Sequence, residues 1–242
     1  MNTEFEYMNQ ISLILEQTYE KNKDNIKIVA EKMADTIMKD NLVHIFGTGH
    51  SSLLATEMYS RAGGLGNINP MLDPNTLMDF GGERSCMMER TSGISPVLYD
   101  YYQVKPEDMM IVISNSGRNA MPIEMAQKAK ESGNYTVVLT SLEVSKGMSS
   151  RHSSGKKLYE FGDVVLDNCG KYGDCCLKIG NYDTGAISTI TGSFILHTIE
   201  TEATKIMVEK GFKPYMFQSQ NIDAYDNSQI IGTFKTKIKH LY

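Results

Sequence analysis

No stretch of the chain approaches the ~18 consecutive apolar residues that a membrane-spanning helix needs, so a bilayer is not an expected partner. Positive charge is also short: 24 Lys and Arg stand against 29 Asp and Glu, a formal net charge of −5. Nucleic acid demands clustered cations along its phosphate backbone, and this balance argues against it. Cysteine is scarce. Cys86, Cys169, Cys175 and Cys176 lack the paired C-x-x-C spacing of a zinc site, and adjacent Cys175 and Cys176 form no routine disulfide. The histidines make no H-x-x-x-H pair, so no metal is expected. The opening MNTEFEYMNQ is acidic and polar where a secretory signal carries a basic start and an apolar core. The expectation is a cytoplasmic protein with reduced thiols. Internal repeats, low-complexity tracts and linkers are absent too, which favours one domain over the whole of 1–242.

What the chain does have is one arrangement used twice. Met109–Ile113 (MMIVI) is apolar and unalternating, which suits a strand buried on both faces of a parallel sheet. The run stops at Ser114-Asn115-Ser116-Gly117. Beyond it Met121, Met125 and Ala129 fall on one helical stripe, with Pro122 and Glu124 suited to a first turn. Leu42–Phe46 (LVHIF) repeats the pattern. It leads into Gly47-Thr48-Gly49-His50-Ser51-Ser52 and a helical stripe of Leu54, Met58 and Ala62.

Such a turn presents unpaired N–H groups carrying roughly half a positive charge, which makes it a seat for an anion. Gly117 is expected to bring the backbone close to the ligand, and Ser114, Ser116 and Asn119 to add neutral donors. The first turn half-matches a dinucleotide fingerprint, but Ser52 stands where the third glycine belongs. A small phosphorylated ligand is therefore expected, and no cofactor.

Taken in order, residues 3–39 read as two amphipathic helices separated by the polar break Lys21–Asn25. Their apolar stripes, with that of the C-terminal helix, point to a homo-oligomer. Ile68–Leu72 reads as a short strand, placed at a sheet edge by Pro70. An aromatic helix is expected over Pro96–Tyr102, and a strand over Tyr135–Leu139. Residues 141–157 read as a long polar loop containing His152, a length that often carries function. Val164–Leu166 reads as the last strand and Asp167–Asp183 as irregular. A long helix follows over Thr184–Lys210, ended by Gly211, and Ser228–His240 closes the chain. The N-terminal helical part thus covers about 1–40 and the C-terminal helical tail about 184–242.

Five strands alternating with helices imply an α/β, three-layer, doubly wound parallel sheet. In the flavodoxin-like order 2-1-3-4-5, strands one and three are neighbours where the winding reverses, and ligands sit beyond their carboxyl ends. The loops at that point are the two hydroxyl-rich turns.

GTGHS followed by SNSGRN resembles the paired signature of SIS (sugar isomerase) domains, which bind phosphosugars. The likeness extends through EMYSRAGGL, SNSGRNAMPIEMA, TSLEVS and VVLDN to a single-domain bacterial subgroup related to phosphoheptose isomerase and N-acetylmuramate-6-phosphate etherase. The resemblance implies the doubly wound sheet, a homodimer or homotetramer, and a phosphorylated sugar or amino sugar as ligand. It also implies that Ser51, Ser114, Ser116 and Asn119 hold the phosphate, with Asn119 standing where many relatives have Thr. The carboxylate and histidine of phosphoheptose isomerase have no match, since Arg61 and Thr189 occupy their places. Glu89-Arg90-Thr91-Ser92-Gly93 resembles a glutamate-bearing segment of the etherase branch.

Aldose–ketose isomerisation needs a base that removes a proton beside a carbonyl and returns it to the neighbouring carbon. Glu89 is the first candidate, with a surface ion pair to Arg90 or Arg84 as its structural alternative. Glu83 is the second, and His152 is expected to face the sugar. The expected binding set is Gly47, Thr48, Gly49, His50, Ser51, Ser114, Asn115, Ser116, Gly117 and Asn119. Arg118 either adds charge to the phosphate or points to solvent, and His44 reads as a core residue. A phosphosugar lyase and a non-catalytic phosphosugar sensor are the alternative functions.

Overall fold

In the computed structural model, which describes residues 3–241, five strands form one parallel sheet. They are β1 (Val43–Gly47), β2 (Ile68–Pro70), β3 (Met109–Ile113), β4 (Tyr135–Thr140) and β5 (Val164–Asp167), in the order β2-β1-β3-β4-β5. The register sets Val43 beside Met109, Met109 beside Tyr135 and Val137 beside Val164. Every residue of β1 and β3 is buried, as their unalternating apolar runs require. Pro70 lies on the edge strand β2, opposite Ile45.

The helices are α1 (Thr3–Met38), α2 (Ser52–Glu57), α3 (Gly82–Met88), α4 (Ile94–Tyr101), α5 (Ala120–Glu131), α6 (Leu142–Gly147), α7 (Ser188–Glu209) and α8 (Ser228–Phe234). Alternate strand residues serve opposite layers. Val43, Ile45, Ile111 and Leu139 meet Met33, Leu54 and Ile195 from α1, α2 and α7. Phe46, Met110, Val112 and Val138 meet Leu98, Met121 and Met125 from α4 and α5. A third cluster of Leu42, Phe217, Ile230, Phe234 and Ile238 seats α8.

Four expectations need correction. The polar stretch Lys21–Asn25 does not break the N-terminal segment, which is one 36-residue helix. Its polar side chains face the free edge of β5 instead. Asn22 donates to the Asp167 carbonyl at 2.8 Å and accepts from the Asp167 N–H at 2.8 Å, and Asn25 donates to the Val165 carbonyl at 3.0 Å. Edge-strand groups that would lack partners are satisfied by a helix.

Second, the segment read as irregular holds an antiparallel hairpin, β6 (Cys175–Ile179) and β7 (Tyr182–Ala186), turned by Gly180 at φ +61°. Third, β7 delays the start of the long helix to Ser188. Fourth, the 141–157 loop begins with helix α6, capped by the Ser141 hydroxyl accepting from the Val144 N–H at 3.2 Å. All four cysteines are unpaired, and no helix among the described residues is long and apolar enough to cross a membrane.

The amino ends of β1 and β3 are joined by a buried polar knot. Asp108 accepts from the Leu42 N–H at 2.8 Å, the Lys105 N–H at 2.9 Å and His44 Nε2 at 3.0 Å. The His44 Nδ1 contact with the Asn69 amide, at 3.2 Å, assigns the proton to Nε2. His44 is thus a satisfied core residue. Burial alone would raise the Asp108 carboxyl; the hydrogen bond from His44 and those from the Leu42 and Lys105 N–H groups outweigh it and hold the carboxyl below its ordinary value.

Asp108→Ala strands these donors and should lower the unfolding free energy by ~3–5 kcal/mol, read by urea titration. Because the folded-state value is depressed, the stabilisation from Asp108 is present above the unfolded carboxylate value of about 3.9 and disappears as pH falls through the lower folded one. The loss of stability as pH falls below about 4 should therefore be steeper in the parent than in Asp108→Asn.

Candidate functional site

The first turn folds back on the end of β1. A Cβ on Gly47 would lie 2.5 Å from the Ser51 carbonyl oxygen, so only glycine permits this return. Gly49 sits at φ +56° and donates its N–H to the Thr76 carbonyl at 2.9 Å. The Ser52 hydroxyl closes the turn on the Gly49 carbonyl at 2.7 Å, leaving His50 and Ser51 on the outer surface of the turn.

The second turn is closed by the Gly117 N–H donating to Ser114 Oγ at 3.2 Å. Gly117 is left-handed at φ +57°, but the space its missing side chain vacates does not face the ligand side. A Cβ there would lie 2.8 Å from Ser145 Oγ and 3.0 Å from Thr140 Oγ1, behind the turn. The glycine therefore seats the turn on its own support. The two turns face a shared pocket of about 380 Å³ at the carboxyl edge of the sheet.

Glu89 bridges them. Its Oε2 accepts from the buried Thr48 hydroxyl at 2.9 Å, and its Oε1 accepts from the buried Asn119 amide at 2.7 Å. Its backbone carbonyl also accepts the Met121 N–H, in the first turn of α5, at 3.0 Å. Burial pushes the Glu89 carboxyl above the ordinary carboxylate range, against the lowering effect of the Thr48 hydrogen bond and of the Arg90 and Arg151 charges. A carboxyl so placed accepts and releases a proton nearer neutrality than an exposed one does.

Thr48, Gly49, His50, Ser51, Ser114, Asn115, Ser116, Asn119 and Glu89 all line the pocket. Gly47 and Gly117 shape the turns from behind. Two expected residues lie elsewhere. Along α3 and its C-terminal cap residue, Gly82, Ser85, Cys86 and Glu89 follow the i, i+3, i+4, i+7 spacing of one helical face, and that face lines the pocket. Glu83 falls off that face and is exposed. His152 does not face the pocket either: its Nδ1 meets Ser154 Oγ at 2.8 Å and its Nε2 lies 3.6 Å from Glu124. The Arg118 guanidinium is packed on Met148 Sδ at 3.6 Å and Ser149 Oγ at 3.3 Å, away from the turns. His197 lies on α7 beside Glu57, at 3.0 Å, and lines a separate groove between α2 and α7.

Several pocket residues were missed. Ser85 and Cys86 were legible from the helical spacing ending at Glu89. Asp174 and Ser188 come from the turn just before β6 and the start of α7, where the Asp174 carboxylate accepts from the Ser188 N–H at 2.9 Å and hydroxyl at 2.7 Å. The two-residue Gly180-Asn181 turn between CCLKI and YDTGA was the signal for that hairpin. Arg151 donates to Asn119 Oδ1 at 3.2 Å, a contact that spans 32 positions and has no sequence signal.

The sheet order, the switch-point pocket and its two serine turns define an SIS domain, and the family model described as SIS domain matches residues 6–141. The chain belongs to this family. Within it, the chain is a member of the UPF0309 family. It is 38% identical to a UPF0309 protein of Thermoanaerobacter pseudethanolicus, covering 98% of this chain and 99% of that one. A UPF0309 protein of Listeria monocytogenes is 37% identical, with 96% of each chain covered. Among solved structures, the phosphoheptose isomerase of Neisseria gonorrhoeae is 16% identical over 84% of this chain and 97% of that one, with a TM-score of 0.46.

The two glycines can be tested apart. Gly117→Ala should lower stability by ~1–3 kcal/mol, combining left-handed backbone cost with crowding of hydroxyl-bearing side chains that are able to shift. Gly47→Ala should be the more damaging change, because its Cβ meets backbone rather than a side-chain tip. Thermal unfolding of both variants checks the order.

Proposed function

We propose that the pocket binds a phosphorylated sugar and that the protein interconverts its aldose and ketose forms. The observation that carries this reading is the position of Glu89: a carboxyl with raised proton affinity, hydrogen-bonded to both turns and open to the pocket between them. The phosphate is held by the second turn with Ser51 of the first. Ser51 and Ser116 are half-buried pocket residues whose hydroxyls make no hydrogen bond to another described residue, which suits them to an outside ligand. Glu89 removes the proton from the carbon beside the carbonyl and returns it to the neighbouring carbon, while His50 is the candidate donor to the enediolate oxygen.

Ser51→Ala and Ser116→Ala should each weaken sugar-phosphate binding by ~1.5–3 kcal/mol, a factor of roughly 10–150, in calorimetric titrations. Glu89→Gln should lose 10²–10⁴-fold in turnover, as expected for removal of a general base, and retain phosphate affinity. A panel of sugar phosphates in deuterated water tests the reaction itself. Deuterium at C2 with ketose formation supports isomerisation. Elimination products, or saturable binding without exchange, would replace it by the lyase or the sensor.

Assembly into a homodimer or homotetramer belongs to the same proposal. Phe5, Met8 and Leu13 on α1, with Leu53 and Ile190 beside the α2/α7 groove, are exposed apolar side chains that a partner copy would cover. Sedimentation at micromolar concentration is expected to give a dimer or tetramer, and a monomer alone would remove the idea.

A further inference from the structure

We infer that Arg151 is a positioning residue: by donating to Asn119 Oδ1 it locks that amide with its Nδ2 turned to Glu89. The inference rests on the reading of Glu89 as the base. Three observations carry it. Arg151 Nη1 donates to Asn119 Oδ1 at 3.2 Å, and Asn119 Nδ2 donates to Glu89 Oε1 at 2.7 Å. Arg151 also stands on the long polar segment whose His152 points elsewhere. Finally, the backbone on both sides of Arg151 is tied down.

An asparagine amide is nearly symmetric in shape, and a half-turn exchanges its donor and acceptor ends. A guanidinium has donors only, so Arg151 is satisfied by Oδ1 alone. While Glu89 is a carboxylate, it too selects the Nδ2 orientation. Once Glu89 has taken the substrate proton, that selection weakens. A free amide would then rotate and offer Oδ1 to the acid proton, stabilising the protonated base and slowing its return of the proton. Arg151 removes this option, and Asn119 stays a donor through both halves of the proton cycle.

An exposed arginine holds such a contact only if the loop beneath it is ordered, since its long side chain otherwise keeps many rotamers. The order is present. The Arg151 N–H donates to the Arg118 carbonyl at 2.8 Å, and the His152 N–H donates to Ser150 Oγ at 3.0 Å. Ser150 Oγ donates to the Lys156 carbonyl at 2.7 Å, while the buried Lys157 amine binds the Ser145 and Met148 carbonyls. The other charged or titratable groups around Glu89 are Arg90 beside it and His50, Cys86 and Asp174 on the pocket wall.

The test is direct titration of the Glu89 carboxyl by NMR in the free protein labelled with ¹³C-carboxyl glutamate. Arg151→Lys, Arg151→Gln and Arg151→Met separate the two effects of the side chain. Lys keeps the charge and its donors, Gln removes the charge and keeps an amide that either donates or accepts, and Met keeps neither. The expected order of Glu89 midpoints is Met highest, then Gln, with Lys rescuing the midpoint toward the parent. Equal midpoints for Met and parent would show that Arg151 does not act on Glu89. An equal upward shift from Arg151→Met in the parent and in an Asn119→Ala background would leave only a charge effect and overturn the amide lock. No sugar phosphate is present in this titration. A failure of the isomerase proposal would appear instead as absent deuterium exchange, with the order of midpoints intact.

Discussion

The carboxylate of Glu89 joins two turns that the chain places 60 or more residues apart. One oxygen takes the Thr48 hydroxyl and the other takes the Asn119 amide. Both donors are buried, so each would cost free energy if left unpaired, and Glu89 is the group that answers both. One side chain therefore ties the two serine-bearing loops to each other. That side chain is itself partly desolvated, which raises its proton affinity. The carboxyl that bridges the turns is also the one whose proton affinity is raised, so a surface ion pair is a poor description of it.

The sheet makes this bridge possible. β1 and β3 are adjacent and parallel, with Gly47 opposite Ile113, so their turns emerge side by side at the reversal of the winding. At the opposite ends of the same strands, the Asp108 knot binds the Leu42 N–H and His44. The two ends have opposite tasks. Below, a fully bonded carboxyl is held ionised by its donors; above, a half-bonded one is left with lone pairs facing a pocket.

Polar residues that look alike in the chain have diverged in the same way. Asn22 and Asn25 complete the backbone pairing of an edge strand, while Asn119 serves the pocket. His44 is sealed in the core, His152 bonds Ser154 within its own loop, and His50 lines the pocket. Residue type alone did not sort these roles. The direction of each side chain did, and direction follows from what each element packs against.

Much of the architecture was legible because it is local. Buried parallel strands leave unbroken apolar runs, as in Met109–Ile113, and strand-to-helix turns leave hydroxyls and glycines at set places. Those signals yielded the five-stranded sheet, its order, and the two turns that line the pocket. The α3 face from Gly82 to Glu89 and the Gly180-Asn181 hairpin turn were also legible, being matters of spacing and turn chemistry. What the chain could not disclose is contact between distant segments. The same polar run Lys21–Asn25 fits a helix break or a helix face against an edge strand, and only the presence of β5 decides. Glu89 meeting Asn119, and Arg151 meeting it in turn, are decided by packing across the fold, because a hydrogen bond spanning about thirty residues leaves no period or spacing behind it.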